Sequence, residues 1–84
     1  MINAKEAAHA AIEYLESFYP GADKVMLEEV ELSEEKKIWS IMISFENTHP
    51  EDKSESSINP RIYKIFRIDS NSGQVTAMRN RDFK

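Results

Sequence analysis

His9 and Glu13 lie four residues apart, the spacing at which two side chains on one helix can reach the same metal ion. Two ligands are too few for a closed zinc site. The other histidine, His49, falls in a polar stretch far along the chain. A solvated helix face accounts for the pair without a metal. Asp69-Ser70-Asn71-Ser72-Gly73 opens as a calcium loop does, but the next regular ligand and the closing glutamate are missing. Asp and Asn also bond their own backbone in turns, and glycine takes a positive φ at no steric cost. The stretch therefore reads as a hairpin turn. Glu28-Glu29 and Glu34-Glu35 are adjacent pairs. Neighbours on a strand point to opposite faces, so neither pair can share a substrate. The chain has no cysteine nucleophile, and its two glycines, Gly21 and Gly73, cannot build a phosphate loop. No catalytic residue, cofactor or metal is expected.

The elements that would carry these residues are legible in order. Asn3 and Glu6 have the spacing of a helix cap with its reciprocal partner. Ala4, Ala8, Ala11, Ile12, Leu15 and Phe18 then recur at helical steps. Pro20-Gly21 ends the run, because proline cannot continue the hydrogen-bond ladder. One helix is predicted over about 4–18. Val25 and Leu27 share one strand phase and Val30 and Leu32 the other, so a strand over about 24–32 needs a bulge near Glu28-Glu29. "IWSIMISFE" alternates cleanly within a strand over about 37–46. Its Trp39, Ile41, Ile43 and Phe45 face the core, with Trp39 beside Ile12 or Leu15. Residues 47–59 are polar and read as a flexible loop. Strands over about 60–69 and 73–80 close the chain. Ile62, Phe66 and Ile68 are assigned to the core, in phase with Lys64.

Eighty-four residues make one small domain. Its net charge of −4 is divided: residues 1–60 carry 5 basic and 13 acidic side chains, and residues 61–84 carry 6 and 2, which is −8 against +4. An acidic helix and a basic hairpin would attract each other within one fold. The basic hairpin (Arg61, Lys64, Arg67, Arg79, Arg81, Lys84), with Tyr63 and Phe83, could otherwise contact single-stranded nucleic acid. The overall pI of about 5.1 opposes that. The segment "MINAKEAAHAAIEYLES" has charges throughout and no unbroken apolar run, so neither a signal peptide nor a membrane span is expected. Without cysteine the chain suits a reducing compartment, and a cytoplasmic location is expected.

The last hairpin, with Tyr63, Ile65, Arg67-Ile68-Asp69, Gly73 and Val75, resembles the hallmark of PepSY and PepSY-like domains. The helix "AKEAAHAAIEYLESFYPGADKV" and the strand "VMLEEVEL" are similar to that family too. The resemblance implies a cystatin-like layout of a helix on an antiparallel sheet, no catalysis, and an inhibitory or regulatory role. That family is mostly secreted or membrane-attached, unlike the expectation here. A second resemblance joins "IWSIMISFE" and "YKIFRIDSNSGQV" to strand pairs of bacterial immunity proteins with the nuclear transport factor 2 fold. It implies a cytoplasmic protein that neutralises a toxin.

The expected fold is α+β: one N-terminal helix packed on a four-stranded antiparallel meander. One helix covers one sheet face. The other should carry Ser40, Met42, Ser44, Tyr63, Ile65, Arg67, Thr76 and Met78, a mixture rich in the residue types that meet protein partners. Met42, Tyr63, Ile65 and Arg67 are the candidate partner-binding residues. The expected role is a small protein-binding or inhibitory module, possible also as a homodimer through this open face. An immunity protein, or a binder of small ligands or single-stranded nucleic acid, is the alternative.

Overall fold

A computed structural model of the chain describes residues 1–47 and 61–81. The helix α1 spans Ala4–Phe18, followed by strands β1 (Ala22–Ser33), β2 (Ile38–Asn47), β3 (Arg61–Asp69) and β4 (Val75–Asn80). The strands form one antiparallel sheet in the order β1-β2-β3-β4, with α1 across one face. This is the α+β meander expected from the sequence. The predicted loop over 47–59 lies, but for Asn47 at the end of β2, outside the described residues.

Both halves of the Asn3 cap form. The Asn3 side chain accepts from the Glu6 amide at 2.8 Å, and the Glu6 carboxylate accepts from the Asn3 amide at 2.9 Å. At the other end the Tyr19 amide still donates to Leu15 O, and Pro20 allows nothing further. Ala7, Ala8, Ala11 and Leu15 are the buried helix residues. Phe18 belongs to the expected stripe but is 58% exposed. In the last turn a helical side chain points back toward the N-terminus, and the Phe18 ring lies 5.0 Å from that of Tyr14.

On the helix side, cross-strand rows run outward from a core centred on β2 and β3 to β1, where Leu27 and Val30 are 47% and 37% exposed. Leu32, Trp39, Ile68 and Val75 form one row; Val30, Ile41, Phe66 and Met78 form the next; Leu27, Ile43, Lys64 and Asn80 the third. Phe45 and Phe66 are the largest fully buried side chains. Each meets a helix-end or helix aromatic: Tyr19 at 5.2 Å from Phe45, and Tyr14 edge-on at 6.3 Å from Phe66. Trp39 differs from expectation. It is only half-buried and lies at the start of the helix, where its indole N–H donates to Ile2 O at 3.2 Å. Among the described residues the fully buried aromatics are thus Phe45 and Phe66.

The predicted bulge is present. The β1–β2 register shifts between Leu27 and Glu29, which makes Glu28 the extra residue and returns Val30 and Leu32 to the helix side. A second shift, between Asp23 and Met26, contains Lys24 in the left-handed region at φ 51°. A third in β4 corrects the open-face assignment. The shift at Arg67/Ile68 makes Thr76 the extra residue, so Met78 turns to the core opposite Phe66 and Ala77 takes its place opposite Arg67.

Candidate functional site

Lys64 lies in the core phase and is almost fully buried. Its ammonium group donates to Asn80 Oδ1 and stands 5.3 Å from the centre of the Tyr19 ring. A hydrogen bond and a π face together offset part of the cost of burying the charge. The basic hairpin is therefore divided between two faces: Lys64 points to the helix side, and Arg61 and Arg67 to the other. The neutralising contacts also differ from expectation. Arg61 pairs with Glu46 at 3.3 Å, so basic β3 meets the acidic half of the chain within the sheet.

The turn after β3 is tied by its own backbone. The Asp69 amide donates to Gln74 O at 2.9 Å and the Gly73 amide returns to Asp69 O at 2.8 Å, closing a four-residue loop. Asp69 Oδ1 accepts from the Asn71 and Ser72 amides at 2.8 and 3.0 Å. Those donors, Ser72 first, hold the Asp69 carboxyl below its ordinary value of 3.8. The loop is also a junction. The Ser70 amide donates to Lys37 O at 3.0 Å, and Ser70 O accepts from the Ile2 amide at 2.8 Å, which joins two hairpins to the start of the helix. Among the described residues no three His, Cys, Asp or Glu side chains converge as a metal site would need. The Asp69 carboxylate already serves the turn.

Gly73 has φ +79°, and an added Cβ would lie 3.5 Å from Ile2 Cγ2, an ordinary contact. Gly73→Ala should thus cost about 1 kcal/mol through backbone strain, read as a lower denaturant midpoint. Asp69→Asn should lower stability at neutral pH. A carboxyl depressed in the folded state contributes stability above its unfolded value, and loses it as pH falls through the folded value. The gap between Asp69→Asn and the parent should therefore close in acid. A gap that persists unchanged through the acid limb would show that the Asp69 charge does not hold the turn.

The four candidate residues come together on the face that the helix leaves uncovered. Met42 pairs with Ile65, Ser44 with Tyr63, and Ser40 with Arg67 across β2 and β3. Extended outward, one row reads Glu29–Met42–Ile65–Arg79 and the next Glu31–Ser40–Arg67–Ala77. Arg81 flanks Tyr63, since its amide donates to Tyr63 O at 3.0 Å. Met42 is 8% exposed although no helix covers it. It forms the floor of a shallow depression of about 220 Å³, edged by Glu29 and Glu31 on one side and Arg67 and Arg81 on the other. Met42 thus supplies shape more than accessible area, while Tyr63 and Ile65 are half-buried and Arg67 is exposed.

One end of this face is closed by a polar network that no strand-by-strand reading of the sequence assembles. Arg61 Nε donates to Ser44 Oγ at 3.0 Å, and Ser44 Oγ donates to Glu28 Oε2 at 2.6 Å. Arg61 also donates to Glu46 Oε2, Ser44 O and Lys24 O. The two β1 bulges make this possible by turning the Glu28 side chain and the Lys24 carbonyl toward β2. Ser44 is fully buried and its hydroxyl is engaged on both sides. The group resembles a reactive serine with a carboxylate only in composition; its geometry ties strands together. No family model, curated protein or solved structure matches the chain.

Proposed function

We propose that this chain is a small, non-catalytic protein-binding module, PepSY-like in layout, that works through the open face of its sheet. One observation carries the reading. The helix covers one face, and the other presents half-buried Tyr63 and Ile65 around Met42, with exposed Arg67 at the edge. Tyr, Met and Arg are enriched where proteins meet, and a few such residues can carry most of the binding. The converging polar groups favour binding over chemistry: Ser44, Glu28, Arg61 and Glu46 satisfy one another, and Asp69 satisfies its own turn. No helix among the described residues is long and apolar enough to cross a membrane. A chain without cysteine suits the cytoplasm, and we place it there.

The test is a double substitution, Tyr63→Ala with Arg67→Ala. Neither residue is in the buried core cluster, so the fold should survive with its melting temperature lowered by only a few degrees, about 4–8 °C for each kcal/mol lost. Partner capture from a native extract, or self-association, should fall by about tenfold or more. If the variant keeps every interaction of the parent, the open face is not the binding surface.

A further inference from the structure

The open face has a charge order that its own geometry can use. Glu29 and Glu31 stand on β1 at one edge; Arg79 stands on β4 at the other, and Arg67 on β3 beside it. Met42 and Ile65 lie between them, paired across the two central strands. We propose that the occupant of this face is a second copy of the chain, related by a two-fold axis parallel to the strands and running between β2 and β3. The proposal rests on the binding-face reading above and gives that face its partner.

The argument is one of symmetry. Two copies face to face can be related by an axis in the plane between them. An axis perpendicular to the strands places β1 over β1 and β4 over β4, which sets Glu29 against Glu29 and Arg79 against Arg79. An axis parallel to the strands reverses the strand order, so β1 of one copy lies over β4 of the other and β2 over β3. The row Glu29–Met42–Ile65–Arg79 then lies over itself reversed. Glu29 faces Arg79 of the second copy, and Met42 faces Ile65, each twice because the contact is isologous. In the adjacent row Ser40 faces Arg67. Like charges brought together oppose association, and opposite charges fix register, so the pattern selects one of the two orientations. Packed sheets lie about 10 Å apart, a gap that Glu and Arg side chains can span from opposite sides. The depression over Met42 receives Ile65 of the second copy.

Size is consistent with a reversible dimer. Four strands about 4.8 Å apart and about 30 Å long offer a footprint of roughly 600 Å² per copy. Specific interfaces bury about 800 Å² per partner, so the face is large enough for a reversible dimer whose strength is set by the facing pairs and not by area.

Sedimentation of the full chain tests this, with two charge reversals, Glu29→Arg and Arg79→Glu. Both residues are exposed, and circular dichroism confirms that each variant keeps the fold. The parent should dimerise, more weakly at high salt. Each reversal alone should weaken the dimer by tenfold or more, because it sets like charges together at two places. An equimolar mixture of the two should associate again. In that mixture positions 29 and 79 are both basic in one copy and both acidic in the other, so each facing pair is once more of opposite charge. The single chain carrying both reversals should dimerise as the parent does. A parent that stays monomeric at several hundred micromolar, on the order of the weakest specific contacts, overturns the inference. So does a mixture that stays monomeric, or a dimer indifferent to both reversals. A monomeric parent that captures another protein through Tyr63 and Arg67 overturns only the self-partner and leaves the binding face standing. A dimer that also survives Tyr63→Ala with Arg67→Ala removes both.

Discussion

Phe66→Ala is expected to lower the free energy of unfolding by about 3–5 kcal/mol. Phe66 is fully buried in the second core row, between Ile41 and Met78, with the Tyr14 ring edge-on above it. Removing the ring forfeits its burial, opens a cavity under a helix that approaches through small alanines, and takes away one of the two rings that Tyr14 packs against. A domain of this length has roughly 4–13 kcal/mol in total, at about 0.05–0.15 kcal/mol per residue. The variant should therefore be marginally folded or unfolded. Trp39→Ala should cost less, about 2 kcal/mol, because Trp39 is half-buried at the end of the sheet and gives up one indole hydrogen bond to Ile2. Urea titrations of both variants decide the order. If Trp39→Ala proves the more damaging, the core is centred at the start of the helix and not at Phe66.

Why the alternation of β2 named the right face but the wrong anchor is a matter of level. Period-two patterning tells which residues share a face, and Trp39, Ile41, Ile43 and Phe45 do share one. It does not tell where along that face the helix lies, which depends on the connection between α1 and β1. The helix begins at the Trp39 end, so Ile2 meets Trp39, and it finishes at Tyr19 over Phe45 and Lys64. The bulge at Glu28 was legible because the apolar phase of β1 changes there. The bulge at Thr76 was not, because Val-Thr-Ala-Met contains too few strongly apolar residues to reveal a phase change. Strict alternation through β4 therefore puts Met78 on the wrong side.

The candidate patch was legible for a similar reason. Met42, Tyr63, Ile65 and Arg67 all lie in the phase opposite the core, and a meander sets β2 beside β3. Their exposure was not legible. Ser44 is covered by Glu28 and Arg61 reaching in from neighbouring strands, an effect that no one-strand pattern records, and Met42 is only 8% exposed at the floor of its depression. The charge order across the face follows from strand order and register together, and so emerges only when all four strands are placed. Arg61 is the sharpest case. In sequence it is one of six basic residues in a hairpin; in the fold it is the centre of a network spanning three strands.

Arg61→Ala is the second large effect, expected at about 2–3 kcal/mol. Its guanidinium supplies donors to Ser44 Oγ, Ser44 O, Glu46 Oε2 and Lys24 O. The Arg61 and Glu46 side chains are 24% and 20% exposed, so this network is less costly to break than a fully buried ion pair, which loses about 3–5 kcal/mol. It exceeds a surface pair, whose usual worth is about 0–1 kcal/mol, because bonds to charged groups contribute about 1.5–3 kcal/mol when partly shielded. The loss spreads into β1. Lys24 is held at φ 51° with its carbonyl turned to Arg61, a conformation that persists only while its surroundings fix it. Without Arg61 the edge of β1 should loosen around Asp23–Met26, and amide exchange there should quicken while α1 and the β2–β3 ladder keep their protection. Arg61→Lys should recover little, since one ammonium group cannot reproduce a fork that reaches Ser44, Glu46 and Lys24 together. A variant Arg61→Lys with parental stability and unchanged exchange in β1 would reduce the network to a simple charge contact.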